Sequence, residues 1–292
     1  MRGQLSLRRL GAIGIVALAF SGAAMSQGLS AATHGQRPPG LTGQTAELVE
    51  PIKLFDNLYY VGTTFVSAYL LTTSEGLILI DSLHDDFTAG SLEQIESLGF
   101  DLDDIHYVLI SHGHADHFGG AHMVKQRTGA RVAMSEADWA MAERVDRARA
   151  QPPERDVVYA DGDTLTLGNT TIRFYVTPGH TPGVLSMEFT VYDDGRPHKA
   201  FLFGGHNVTL RTGDVAGAVR NLIATVERLQ HTLEDVDVNL VSHPWAGLIF
   251  QRAEQLAERG PSDPHPFVDA RDFRAFLQER LETHQSRLVE LQ

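Results

Sequence analysis

The feature that most constrains this chain is a run at residues 112–117 that reads H-x-H-x-D-H. Residues 105–110 before it form a short, apolar, β-branched segment, which predicts a buried strand. Phe118-Gly119-Gly120 follows the run and leads into a helical pattern. Ligands of open α/β sheets bind at the carboxyl ends of strands. The chain is therefore predicted to be an α/β protein that places three imidazoles and one carboxylate at such an end.

The side chains of this run are of the kinds that hold divalent metal ions. Imidazole and carboxylate groups ligate zinc and similar ions, and four of them within six residues are more than one ion needs. The alternative is a surface loop that is rich in histidine by composition, since the chain has 14 histidines in 292 residues. The spacing and the preceding strand favour a metal site.

Three further histidines, His180, His206 and His243, each come directly after a predicted strand. A single histidine in that position is commonly a hydrogen-bonded turn residue. Its recurrence at successive strand ends, with Gly and Pro in the loops, favours metal ligation for His180 and His243. Six others lack this setting and are predicted to be structural or surface residues: His106, His122, His198, His231, His265 and His284.

Hydrophobic periodicity predicts strands followed by a helix in both halves of the chain. The predicted strands cover 54–61, 67–72, 77–81, 105–110 and 131–134, and then 164–167, 171–176, 185–191, 199–203 and 236–241, with Asp194-Gly195 as a hairpin turn. The main predicted helices cover 87–98 and 216–231, with a closing helix that includes Phe273 and Phe276. This plan indicates two sheets packed face to face with helices outside. No linker divides residues 27–292, which are predicted to form a single domain.

Residues 1–26 have the three parts of a secretory signal peptide. Three arginines make its start basic, residues 10–20 are apolar, and Ala24-Met25-Ser26 is a small-x-small cleavage site. The apolar stretch is too short to span a bilayer, and the alternative is an uncleaved membrane anchor. The mature protein is expected to be periplasmic or secreted.

The net charge and the absence of cysteine limit the classes of binding partner and of metal ligand. The chain has a formal charge of −13, and loss of the basic leader would make it more negative. This charge opposes binding to nucleic acid and to an anionic membrane surface, so we expect a small-molecule substrate and no membrane association after signal removal. The chain has no cysteine, so any zinc ligands must be histidines and carboxylates.

The order of these residues resembles the metallo-β-lactamase superfamily over nearly the whole mature chain. Asp81 at the end of an early strand, the H-x-H-x-D-H run, His180 and His243 occur in the family's order. The segment 55–62, which reads Phe-Asp-Asn-Leu-Tyr-Tyr-Val-Gly, looks most like the third subclass of class B β-lactamases. The absence of cysteine and the Pro-Phe-Val-Asp run at 266–269 are similar to that subclass too.

The resemblance implies an αβ/βα four-layer sandwich with two Zn²⁺ ions in a groove along its edge. It would place His112, His114 and His180 on the first zinc, and Asp116, His117 and His243 on the second. In the family a hydroxide held between the two ions attacks a carbonyl, and Asp116 would be the catalytic residue that orients this nucleophile and moves its proton. Asp81 would hold the turn of the run, or serve as a plain structural cap.

Residues 203–209 depart from the family pattern, because they read Phe-Gly-Gly-His-Asn-Val-Thr. Many lactone, thioester and phosphodiester hydrolases of the family have a metal-bridging Asp here. Third-subclass β-lactamases usually have Ser here, and many have another Ser where this chain has Val184. We expect His206 to be a groove-facing donor that meets a substrate carboxylate together with Asn207, Thr209 or Arg211. A fourth ligand to the second zinc and a buried turn histidine are the alternatives for His206.

The resulting prediction is an exported di-zinc hydrolase that opens the β-lactam amide with a metal-bound hydroxide, an activity that confers antibiotic resistance. Export supports this function, because β-lactams act outside the cytoplasmic membrane. One alternative is the same fold and metal centre acting on another ester, lactone or amide, with little β-lactamase activity. Another is a periplasmic metal-binding protein without catalysis.

Overall fold

The computed structural model of the protein describes residues 34–209 and 213–292. The predicted signal peptide at 1–26 and Arg211 lie outside the described residues. No helix in the described part of the chain is both long and apolar enough to cross a membrane.

The first half forms a seven-stranded sheet whose strands are in chain order. Its strands are β1 (Ile52–Phe55), β2 (Leu58–Tyr60), β3 (Tyr69–Thr73), β4 (Gly76–Ile80), β5 (Ile105–Leu109), β6 (Arg131–Met134) and β7 (Val157–Val158). Strands β1 to β4 pair antiparallel, and β4 to β7 pair parallel. The carboxyl ends of β4 and β5 therefore reach the same edge of this sheet.

The second half forms a five-stranded sheet in the order β12-β11-β10-β9-β8. Its strands are β8 (Thr164–Leu167), β9 (Thr170–Val176), β10 (Leu185–Asp193), β11 (Arg196–Phe203) and β12 (Val238–Val241). Strands β11 and β12 pair parallel, and the other pairs are antiparallel. Asp194-Gly195 closes the β10–β11 hairpin with positive φ values of 49° and 73°, as a type I′ turn requires.

Most of the helices cover the outer faces of the sheets, whereas the helix at Ile249–Ala257 packs against the core between them. They are α1 (Asp85–Ser97), α2 (Ala115–Phe118), α3 (Ala121–Thr128), α4 (Glu136–Ala142), α5 (Val215–Thr232), α6 (Ile249–Ala257) and α7 (Ala270–Glu290), with a 3₁₀ turn at Leu102–Asp104. Leu92 and Val124 bring α1 and α3 onto the first sheet. Phe276 and Val226 bring α7 and α5 onto the second sheet.

A third core lies between the two sheets and joins them. Ile78 and Leu109 of the first sheet share this buried cluster with Phe174, Met187 and Leu202 of the second. Burial of a large apolar side chain contributes about 1.5–3 kcal/mol, so the apolar inner faces hold the sheets together. The predicted αβ/βα sandwich is confirmed.

Residues 54–61 were expected to form one strand, and this prediction is wrong. The segment is a hairpin in which Phe55 of β1 pairs with Leu58 of β2. Asp56-Asn57 forms the turn, as these residue types favour. The Asn57 side chain donates to the Thr190 carbonyl at 3.1 Å and so ties the turn to β10.

Candidate metal centre

The six predicted metal-binding side chains come together in two groups. One group consists of His112, His114 and His180, and the other of Asp116, His117 and His243. Within each group the donor atoms lie within 4.8 Å of one another. They arrive on loops that follow β5, β9 and β12, so strand ends gather side chains that are far apart in the sequence.

Four of the imidazoles are held in place through their Nδ1 atoms. The pairs are His112 with the Gly204 carbonyl (2.9 Å), His180 with the Asn207 carbonyl (2.6 Å), His243 with the Phe65 carbonyl (2.7 Å) and His117 with the Asp81 carboxylate (2.8 Å). A ring that donates Nδ1–H presents an unprotonated Nε2 on its other side. Metal-ligating histidines are generally oriented in this way by carbonyl and carboxylate partners.

The nitrogen atoms of the first group have the spacing of ligands to one ion. His180 Nε2 lies 3.1 Å from His112 Nε2 and 3.0 Å from His114 Nδ1. Tetrahedral zinc with Zn–N bonds of ~2.0–2.1 Å sets its ligand nitrogens ~3.3 Å apart. His112 and His180 both donate through Nδ1, so neither of their facing Nε2 atoms carries a hydrogen, and a shared cation accounts for this short distance better than a hydrogen bond does.

The second group contains an orphaned buried donor atom. His117 is fully buried, and its Nε2 has no hydrogen-bond partner among the described residues. The nearest acid oxygen, Asp116 Oδ2, is 3.6 Å away. A buried polar nitrogen without a partner costs free energy, and a metal ion would satisfy it. The residues present therefore fit a metal centre.

The charge states of these groups suit a cation. Burial and the neighbouring histidines hold the pKa of His112 well below its usual value. Burial is also the main cause that lowers the pKa values of His180 and His243 to about 4. Burial opposes the charged form of Asp116, but His117 and His243 lower the pKa of its carboxyl to about 2. At neutral pH His112, His180 and His243 are therefore neutral and Asp116 is a carboxylate, which are the forms that bind metal. Burial opposes the charged form of His117, but Asp116 and Asp81 raise its pKa, so a metal ion at this residue would have to displace a proton.

Asp81 fixes the turn of the H-x-H-x-D-H run. It follows β4 with a positive φ of 59°, and its two carboxylate oxygens accept from the Ser111 N–H at 2.7 Å and the Ser111 hydroxyl at 2.8 Å. The same carboxylate receives His117 Nδ1. The predicted role of Asp81 in holding the turn agrees with these contacts.

Asp138 was missed by sequence reasoning. This buried residue of α4 accepts from Gly113 N–H at 2.9 Å and from the Thr181 hydroxyl at 2.6 Å through Oδ2. Its Oδ1 accepts from Gly183 N–H at 3.0 Å. One carboxylate thus joins the loop of His112 and His114 to the loop of His180. No motif or periodicity around residue 138 in the sequence indicates such a contact.

The expectation that His206 faces the groove is wrong. Its side chain is 2% exposed and lies against Phe203 and Phe276, with ring centroids 6.4 and 5.5 Å apart. Both ring nitrogens lack hydrogen-bond partners among the described residues, and burial keeps the pKa of His206 well below its usual value. The loop after β11 turns this ring toward α7. His206 is a buried turn histidine, whereas Asn207 and Thr209 do line the groove.

The metal donors open onto a groove with two compartments. His114, His180 and His243 line a cavity of about 570 Å³ together with Arg280 of α7 and His34 of the N-terminal arm. A second cavity of about 550 Å³ shares Phe65 and Asp116 with the first. Neither Arg280 nor His34 stood out in the sequence, because only the packing of α7 and of the arm brings them to the groove.

Comparison with known proteins supports this fold assignment. The family model of the metallo-beta-lactamase superfamily matches residues 61–194. The chain is similar to the crystal structure of BJP-1, a subclass B3 metallo-β-lactamase of Bradyrhizobium japonicum, with 32% identity and a TM-score of 0.75 over 83% of this chain and 95% of that one. Native FEZ-1 metallo-β-lactamase from Legionella gormanii gives 25% identity and a TM-score of 0.76 over 84% of this chain and 98% of that one.

Curated relatives match a smaller part of this chain than the solved structures do. A hydroxyacylglutathione hydrolase of Acidiphilium cryptum is 38% identical over 101 residues, which are 35% of this chain and 36% of that protein. A beta-lactamase hydrolase-like protein of Xylella fastidiosa is 27% identical over 144 residues, 47% of this chain and 32% of that protein. The chain therefore spans about a third of the length of these two relatives.

The match to BJP-1 decides the family, because it combines 32% identity with coverage of 95% of that protein. Common ancestry explains why a 32% identical chain also repeats the topology across 95% of that protein. The site at the strand ends is consistent with the same origin. This chain belongs to the metallo-β-lactamase superfamily, and the subclass B3 enzymes are among its structural neighbours.

Proposed function

We propose that the protein is an exported di-zinc hydrolase that opens the amide of β-lactams. The observation that carries this proposal is the pair of adjacent donor groups, each with three side chains and each facing the same groove. His112, His114 and His180 would hold one ion, and Asp116, His117 and His243 the other. The likeness to subclass B3 structures across the whole fold supports a β-lactam as substrate.

Bound zinc would polarise the scissile carbonyl, lower the pKa of a water at the site and stabilise the leaving nitrogen. The protein's own residues orient the attacking water and exclude bulk solvent. The Asp116 carboxylate lines both compartments of the groove and is charged at neutral pH, so it is placed to accept the proton of an attacking water and to pass it on. His117 and its partner Asp81 are buried, which keeps solvent off that side of the centre.

The test combines metal analysis with a substrate panel. Purified protein loaded with zinc is expected to contain two equivalents by mass spectrometry of the metal. It should open at least one penicillin, cephalosporin or carbapenem, and serine-directed acylating inhibitors should not affect it. Protein that holds both zinc ions but leaves every β-lactam class intact would refute the substrate assignment. Sequencing the N-terminus of the periplasmic protein would test export, which predicts removal of residues 1–26.

Thioester hydrolysis is the second candidate, because several curated relatives are hydroxyacylglutathione hydrolases. Residues 203–209 disfavour it, since they contain no carboxylate that could bridge two ions. An acyl-glutathione assay on the same zinc-loaded preparation separates the two functions. Thioester turnover without β-lactam turnover would favour the second candidate.

A further inference from the structure

A partly buried guanidinium lies in the groove beside the metal donors. Arg280 projects from α7 into the cavity that His114 and His180 also line, and its side chain is only 14% exposed. The ring of Phe276 lies 5.5 Å from its guanidinium carbon. Nη1 donates to the Asn207 side-chain oxygen at 3.2 Å. These contacts hold the Arg280 side chain in one place without neutralising it.

No carboxylate in the described part of the chain pairs closely with Arg280. Glu279 is the nearest acid, with Oε2 at 3.9 Å from Nη2. That oxygen already accepts from the His34 backbone N–H at 3.2 Å and contacts His34 Nδ1 at 3.0 Å. The Nε of Arg280 is buried and has no hydrogen-bond partner among the described residues. A partly buried cation in this state is costly unless a partner arrives.

Asn207 connects this cation to the metal centre. Its side-chain oxygen accepts from Arg280, and its backbone carbonyl receives His180 Nδ1 at 2.6 Å. A single residue therefore separates the guanidinium from a predicted ligand of the first zinc. An anion bound by Arg280 would be in the same cavity as the reacting carbonyl.

We propose that Arg280 is the specificity residue that binds the carboxylate of the substrate. This inference rests on the proposed function, in which the groove takes a small hydrolysable substrate. The planar guanidinium matches a carboxylate with two parallel hydrogen bonds. Arg37 also lines the cavity, but it is exposed, where ion pairs contribute little.

The test measures binding of two thiols to the zinc-loaded protein by calorimetry. Mercaptopropionate and its uncharged amide have the same thiol anchor and the same reach, and they differ in the carboxylate. Wild type is expected to prefer the carboxylate. Arg280→Met should lose at least ~10-fold of that preference, since hydrogen bonds to charged groups are among the stronger ones. Affinity for the amide and the zinc content should stay as in wild type.

Matched variants make the result specific. Arg274→Met removes the same charge from an exposed position of the same helix and should keep the full preference. Arg280→Lys keeps the charge but not the planar fork of donors, so it should lose part of the preference for the carboxylate thiol. This variant provides the test if Arg280→Met does not fold. An unchanged preference in a folded Arg280 variant would overturn the inference.

A penicillin assay on the same proteins separates this inference from the proposed function. Arg280-dependent binding of the thiol carboxylate without any β-lactam turnover would refute the proposed function and support a carboxylate site. Turnover with a thiol preference that does not depend on Arg280 would refute the carboxylate site alone. Where both hold, Arg280→Met should raise KM for penicillin more than it lowers kcat.

Discussion

Asp138→Asn is expected to loosen both loops that carry the first group of metal donors. The Asp138 carboxylate accepts three hydrogen bonds, from Gly113, Thr181 and Gly183. An amide keeps one acceptor oxygen and turns the other atom into a donor. In either orientation of the amide, at least one N–H or O–H of these loops loses its partner inside the protein.

The size of the effect follows from these contacts. A hydrogen bond to a charged group contributes about 1.5–3 kcal/mol, and a buried donor left without a partner costs about 1–3 kcal/mol. With one or two donors affected, the free energy of unfolding should fall by roughly 2–4 kcal/mol, which corresponds to a fall of roughly 4–16 °C in Tm for a domain of this size. Zinc affinity of the first group should fall about 10- to 100-fold, as for other partners that orient metal ligands.

Thermal unfolding followed by circular dichroism, with and without zinc, measures the loss of stability. Competition with a chromophoric chelator measures the loss of zinc affinity. Glu136→Gln is the control, because it makes the same chemical change at an exposed position of α4. Stability within about 0.5 kcal/mol of wild type, together with unchanged zinc affinity, would refute the claim that Asp138 couples the two loops.

Four further predictions follow from the site and the core. Chelation should abolish activity and lower Tm, since metal bound to the native state adds to its stability; full activity in protein shown to lack metal would contradict this. His114→Ala should lower kcat at least ~10²-fold, because it weakens the charge that stabilises the developing oxyanion; steady-state kinetics on zinc-loaded protein measures it. His206→Leu should keep zinc content and KM and raise stability by about 1 kcal/mol, since a buried imidazole without partners is removed; loss of one zinc equivalent would show instead that His206 is a ligand. Burial opposes the charged form of Asp272, but hydrogen bonds from His34 and Arg252 lower its pKa from 3.8 to about 2, so its stabilisation is present above about pH 4 and lost as the pH falls toward 2; urea unfolding at several pH values should show this loss in wild type and not in Asp272→Asn.

Much of the architecture was predictable because it depends on local patterns. The apolar segment before residue 111 forms β5, the Asp194-Gly195 turn closes its hairpin, and the amphipathic segment from 216 to 231 lies within α5. The two groups of metal donors could be predicted as well. Their order along the chain resembles that of a known family, and each donor follows a strand whose end is visible as a change from apolar residues to Gly, His or Pro.

The features that were predicted wrongly or missed depend on packing between segments that are distant in the sequence. His206 follows a strand just as His180 does, but its ring packs between β11 and α7. No local sequence signal distinguishes these two histidines. Asp138 and Arg280 reach the site from helices whose placement depends on the whole sandwich. A hydrogen bond between residues 113 and 138, or 207 and 280, leaves no periodicity or motif in a single sequence.

The two compartments of the groove differ in chemistry, and this difference bears on substrate orientation. One is lined by Phe87, Val66 and Leu83, and the other contains Arg280. They meet at Asp116, beside the metal donors.

A penicillin or cephalosporin has an acyl side chain on one side of its amide and a carboxylate on the other. With the carboxylate at Arg280, the acyl group reaches the apolar compartment and the scissile bond lies between them, at the metal centre. The reverse orientation would place the carboxylate beside Asp86, where like charges repel, and away from Arg280. Under the proposed function, the asymmetry of the groove therefore favours one productive orientation, with the carboxylate directed to Arg280 of the last helix.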